Sequence, residues 1–239
     1  MKRHINSILL MTVLLVQASC INNLLDYPAT TKISADTFWE TTEDAEKGVN
    51  AVYNAMRNAF GLFYRLDCYP NADLVYFQNA NSQSITSDYW NKCYASINRA
   101  NNAIMQLRRM QSEAVTEKDL NLLKRYEGEV RFIRALHYAL MIDLYGDVQY
   151  LDHVPTQEEA YSIARTPITQ VRDFIMEDYD YAISVLPDSY ESSDDQGRAT
   201  KVAAYAFKGK LELFWACWKK NGRPEVDNFQ QNESEAKEY

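Results

Sequence analysis

Apolar residues return at helical spacing in five runs along the chain, and one of these runs has two apolar sides. Between residues 119 and 147, Leu123, Tyr126, Val130, Ile133, His137, Leu140 and Leu144 recur at alternating gaps of three and four. At about 100° per residue they form one stripe of a helix. Gly128, Ala135 and Ala139 fall opposite, where missing bulk lets a second helix backbone come close. Glu127, Arg131, Arg134 and Tyr138 make the narrow polar strip that remains. Glu129 lies beside Ile133, Leu136 and Leu140, and burying a lone carboxylate costs roughly several kcal/mol, so a cation from another helix is expected there. A helix covered on two sides belongs inside a layered helical array.

The other runs fill out that array. Thr41-Thr42-Glu43-Asp44 supplies a cap and first-turn acids, and Ala45, Val49, Val52, Met56 and Phe60 follow as the first helix. Periodicity then fails from Gly61 to Asp88, which reads as a long loop. A second helix is expected from Ser87-Asp88, with Trp90, Tyr94, Ile97, Asn101 and Ile104 on its inner stripe and Asn101 bonded to neighbouring backbone. After the central helix comes a loop from Gln149 to Ala164. Arg165-Thr166-Pro167 then starts a helix, with Thr166 as cap, that runs through Ile168, Val171, Phe174, Ile175, Tyr179, Ala182 and Leu186 and stops at Pro187. Gly197 to Lys201 leads into a fifth helix carrying Ala203, Ala204, Phe207, Gly209, Leu211, Phe214 and Trp218. Beyond Lys219 the chain turns polar, breaks at Gly222 and Pro224, and shows no docking stripe.

Composition narrows the class. With 239 residues, 46% of them hydrophobic, the chain can bury a substantial core, and only 7 Gly and 6 Pro favour helices. The formal charge of -8 excludes a phosphate backbone as partner, since nucleic-acid affinity rests on Lys and Arg. Lys2-Arg3-His4, the apolar run Ile8 to Val16 and Gln17-Ala18-Ser19 before Cys20 read as a targeting segment over residues 1–19, too short to span a bilayer. Its removal takes away Lys2 and Arg3 and no acid, moving the net charge from -8 to -10. Lipidation of Cys20 would anchor an acidic domain to a membrane without spanning it. The alternative is a plain secretory signal with an incidental Cys20. Cys68, Cys93 and Cys217 show no metal-ligand spacing; their pairing stays open between one disulfide and buried thiols.

No constellation for covalent chemistry stands out. His4 leaves with the leader, His137 sits in an apolar stripe, and His153 stands in a loop beside Asp152, so no metal site and no cofactor are expected. Glu127 and Glu129 face different ways and cannot flank a glycosidic bond together. Arg131, Arg134 and Tyr138 suit either an anion site or a packing lock, and the lock is preferred. The amide-rich run around Tyr76 and Phe77 suits a sugar, because a ring stacks on a pyranose face while amides bond its hydroxyls. Tyr76, Phe77, Asn79, Asn81 and Tyr89 are therefore the expected ligand contacts, against the alternative that these rings tuck into the core.

Glu129, Arg131, Phe132, Arg134, Ala135 and Tyr138, followed by Tyr145-Gly146-Asp147-Val148, resemble the signature helix of the SusD/RagB family, nutrient-binding outer-membrane lipoproteins of Bacteroidetes. Tyr27-Pro28 through Val52-Tyr53, and the Trp90, Tyr94, Ile97, Asn98, Asn101 pattern, are similar to the same family. The resemblance implies an all-α, tetratricopeptide-like helical array with long loops. Its expected parts are a lipoprotein leader at 1–19, an extended lead-in at 20–43, an amino-terminal helical domain at 44–218 and a polar, truncated tail at 219–239. It further implies a non-catalytic, surface-facing lipoprotein of the outer membrane, anchored through Cys20, that takes an oligosaccharide or other nutrient to a SusC-like TonB-dependent transporter. The alternatives are a tetratricopeptide-like scaffold for a protein partner at the envelope, or a non-functional fragment of a longer binding protein.

Overall fold

The computed structural model describes residues 38–68, 80–223, 226 and 229–239, with the side chains of 62–68 and 80–86 left aside. Cys20, Tyr76, Phe77 and Asn79 lie outside the described residues, as do the side chains of Cys68 and Asn81. Residues Trp39–Tyr239 form one compact unit. It is all-α: α1 is Thr42–Cys68, α2 Ala80–Glu113, α3 Glu117–Tyr145, α4 the short Gln157–Ser162, α5 Ile168–Val185 and α6 Lys201–Asn221. Among the described residues strand pairing is limited to the isolated bridge between Val148 and Thr166.

Helix α3 is the centre, packed against α1, α2 and α5 and touching α6 only lightly. Its expected stripe is buried from Leu123 through His137, while Leu140 is half-buried and Leu144 is exposed. The small-residue side works as the sequence implies. A Cβ built on Gly128 would come within 2.4 Å of Val185 Cγ2 and 3.3 Å of Leu186, so the end of α5 lies directly on the glycine. Ala135 is fully buried, and Ala139 looks into a groove beside α6.

Local signals set most helix ends. Thr41 and Asp44 cap α1 reciprocally: the Thr41 N–H donates to Asp44 Oδ2 at 3.1 Å and the Asp44 N–H to Thr41 Oγ1 at 3.2 Å. Thr116 and Thr200 cap α3 and α6 by accepting from the N–H groups of Asp119 and Ala203. Helix α5 departs from expectation. Its first N–H, on Ile168, donates to Asp147 Oδ1 at 2.8 Å, whereas Thr166 donates its N–H to Val148 and accepts from the Tyr150 N–H. The cap thus comes from the turn that ends α3, where Gly146 takes φ +69° and donates to Ile142. Gly146, Asp147 and Val148 are a single joint: one residue terminates α3, the next starts α5, and buried Val148 pins the strand-like crossing between them.

Two further expectations fail. The stretch Gly61 to Asp88 is not one loop, because α1 continues to Cys68 and α2 already begins at Ala80. Phe63 and Tyr64 continue the spacing of α1 past Gly61, whereas the polar start of α2 offers no apolar stripe to mark it. The polar strip of α3, by contrast, fits the preferred packing lock: Glu127, Arg134 and Tyr138 are buried and Arg131 nearly so. The second failure is at the chain end, which docks. Arg223 donates to the carbonyls of Ile142 and Asp143 at 2.9 and 3.0 Å and lies over the Trp218 ring, Val226 covers Gly146, Phe229 meets Trp215 edge-on, and Lys219 pairs with Glu235. These contacts come from single residues spaced along a polar sequence, which leaves no periodic signal.

Candidate functional site

The residues of the signature helix build two buried charge clusters. In the first, Arg134 grips Asp178 of α5 with Nε and Nη2 at 2.7 and 2.8 Å and gives Nη1 to Asn101 of α2 at 2.7 Å. Asn101 donates onward to the carbonyls of Leu151 and His153, and Tyr138 exchanges bonds with Leu151. Arg131 joins Glu127 at 2.9 Å and Asp178 at 3.4 Å, its guanidinium 4.1 Å from the Tyr181 ring centre. Burial pushes the Glu127 carboxyl up, but Gln111, Arg131 and Arg108 outweigh it and leave the group below its ordinary value.

The second cluster surrounds Glu129. Burial raises this carboxyl despite Arg198 at 3.1 Å and Arg125 at 3.4 Å, and Tyr53 and Tyr190 add hydroxyl donors. The expected cation is therefore present, though it comes from the loop before α6 and from α3 itself and not from another helix. With the Arg134 fork already filled by a carboxylate and an amide, this part of α3 locks packing and has no place for an anion. His137 is likewise a core residue. Its Nδ1 lies 2.7 Å from the Ile133 carbonyl, its ring meets Phe60 edge-on, and desolvation lowers its pKa to about 4.

The joint at Gly146 places a different group of side chains at the surface. Tyr145, the last residue of α3, stands 4.9 Å from Trp90 with the rings nearly perpendicular, and Tyr94, one turn along α2, is 5.0 Å from Trp90. All three are half-buried. Tyr94 is fixed by donating its hydroxyl to the Gln149 carbonyl at 2.8 Å. Arg165, exposed, lays its guanidinium 5.5 Å from the Trp90 ring centre and donates Nη1 to the Asp147 carbonyl at 3.2 Å. Trp90 and Tyr94 were legible only as part of an inner stripe; Tyr145 and Arg165 carry no spacing that joins them to it. Of the expected ligand contacts, Tyr89 is the one whose side chain is described, and it is fully buried and stacked on Tyr145. It supports the aromatic group from beneath and has no face open to a ligand.

An apolar groove of about 220 Å³ runs between α3 and α6, with Ala139, Leu140, Phe207 and Phe214 among its walls and Asp143 and Lys210 at its edge. Beside it the outer face of α6 exposes Val202, Tyr205 and Leu213. Cys93 and Cys217 are free thiols; burial pushes Cys93 up to about 12. Among the described residues no His, Cys, Asp and Glu group suited to a metal ion occurs, and no helix is long and apolar enough to cross a membrane.

Comparison with known proteins is consistent along the chain. Residues 16–213 match a SusD-like family model described as starch-binding and associating with the outer membrane. The SusD-like protein P2 of Formosa agariphila is 26% identical over 192 residues, 73% of this chain and 37% of that protein. SusD-like protein P38 of the same organism is 26% identical over 216 residues, 82% of this chain and 39% of its own length. Among solved structures, a SusD-like protein from Bacteroides fragilis superposes with a TM-score of 0.60 at 28% identity over 81% of this chain and 39% of its own. A SusD homolog from Bacteroides thetaiotaomicron gives 0.67 at 19% identity, over 84% and 40%, a likeness of fold. The chain thus spans about two-fifths of the length of these relatives.

Proposed function

The chain belongs to the SusD-like family, and from that premise we propose that it binds an oligosaccharide at the bacterial surface and passes it to a SusC-like TonB-dependent transporter. It performs no covalent chemistry. Lipidation at Cys20 holds it on the outer membrane, and capture raises the local glycan concentration at the transporter. The relatives support the ligand class, since one solved relative is described as a carbohydrate-binding protein. The observation that carries the reading is the half-buried Trp90, framed by Tyr94 and Tyr145 on a scaffold whose interior charges are already satisfied. Rings held this way offer apolar surface to a sugar at little entropic cost. Tyr76, Phe77 and Asn79, which precede α2 in sequence, and Asn81 in its first turn are assigned to the same contact.

Calorimetry of the whole chain against neutral and charged oligosaccharides tests this. Trp90→Leu is expected to weaken glycan binding about tenfold or more, since loss of one stacking ring is worth roughly 1–3 kcal/mol. A Tyr76→Ala/Phe77→Ala double variant that binds like the wild type removes those two residues from the assignment. Metabolic labelling with a fatty acid checks the anchor: a Cys20→Ser protein that still incorporates label rules Cys20 out.

A second reading, a scaffold for a protein partner, draws on the exposed Val202, Tyr205 and Leu213 of α6. It requires that Leu213→Glu abolish co-purification of an envelope protein while leaving glycan binding intact.

A further inference from the structure

We infer that the glycan taken at Trp90 carries an anionic substituent, a carboxylate or a sulfate, and that Arg165 receives it. This rests on the oligosaccharide reading above and adds to it the chemical class of the ligand. Arg165 is held from two sides, by the Trp90 ring face and by the Asp147 carbonyl, yet its side chain remains exposed. Other arginines have their charge already met by the protein: Arg108, Arg125, Arg131, Arg134 and Arg198 each meet a carboxylate within 3.4 Å. Among the described residues Arg165 has no carboxylate paired with it within 4.0 Å, and Asp147, whose carbonyl it bonds, has turned its carboxylate to the Ile168 N–H.

The arrangement suits an oxyanion more than a neutral hydroxyl. A guanidinium offers five N–H donors in a rigid plane, and here a single bond to a carbonyl is made, so an unused edge faces outward. Stacking on Trp90 removes much of the side chain's freedom before any ligand arrives, which lowers the entropic cost of a bidentate contact to a planar carboxylate or a sulfate. The guanidinium covers one face of Trp90, so a neutral pyranose loses part of the ring it would stack on, while an acidic sugar can use the ring edge and the charge together. The net charge of -8 repels polyanions at a distance, so the preference belongs to short oligosaccharides that reach this contact and not to general polyanion adhesion.

The experiment is calorimetry on the whole chain with three short ligands of matched length: a neutral glucan oligosaccharide, a uronic-acid oligosaccharide and a sulfated one. Wild type, Arg165→Gln, Arg165→Lys and Trp90→Leu are compared, each checked by thermal unfolding. Wild type is expected to bind at least one acidic ligand tenfold more tightly than the neutral one, with the two acidic arms telling carboxylate from sulfate. Arg165→Gln should collapse that ratio to near one, and Arg165→Lys should keep only part of it. Equal affinity for neutral and acidic ligands in the wild type, or an unaltered ratio in Arg165→Gln, overturns the inference while leaving sugar binding at Trp90 standing. Trp90→Leu binding all three ligands like the wild type, or no binding by any protein, overturns the site itself.

Discussion

Arg134 is 4% exposed and has spent its three nitrogens on Asp178 and Asn101, so it cannot lose either partner cheaply. Asp178→Asn is expected to lower stability by about 3–5 kcal/mol in urea denaturation, because it strands a buried guanidinium. Replacing both charges together, Arg134→Met with Asp178→Leu, should recover most of that loss. His137 sets a pH dependence with a defined sign. Its folded pKa of about 4 lies below the ordinary 6.5, so the unfolded chain binds the extra proton first. Stability from this residue is complete above pH 6.5 and falls as pH drops toward 4, by roughly 2–4 kcal/mol in all. His137→Leu should flatten that part of the curve. At this scale the sequence showed that Glu129 needed a cation and favoured a packing lock around Arg134, but hid which partners complete it, Asp178 and Asn101 for Arg134 and Gln111 and Arg108 for Glu127. A charged strip on a helix looks the same whether it meets water or matching charges on α2 and α5.

Helices are where the pattern of the chain was most readable. The two-sided character of α3, the close approach at Gly128 and the cap of α1 follow from spacing and residue type alone. Two glycines test the packing by contrast. Gly128→Ala should cost about 1–2 kcal/mol, since the new methyl meets Val185 and Leu186 and overpacking exceeds the gain in helix propensity. Gly209→Ala, where nothing lies within 4 Å, should raise stability by about 0.5–1 kcal/mol. Thermal unfolding of both variants decides it. What spacing could not reveal was the joint: Asp147 caps α5 from 21 residues away, a contact set by where the chain returns and not by local sequence. Asp147→Ala is expected to lose about 1 kcal/mol by the same measurement.

At the scale of the whole molecule, the helical array and its family membership could be read before any coordinates, while the candidate site could not. Trp90, Tyr94, Tyr145 and Arg165 come together from α2, the end of α3 and the segment before α5, and only the turn at Gly146 brings them into reach of one another. The docked chain end escaped notice for a related reason, since Arg223, Val226 and Phe229 each act alone on a different partner. Burying α3 between α1, α2 and α5 also fixes how the molecule opens. Any fluctuation that lets water reach the middle of that helix must first part its neighbours, so its amides should exchange with deuterated solvent last, at the rate of global unfolding. The exposed turns of α6 should exchange orders of magnitude sooner.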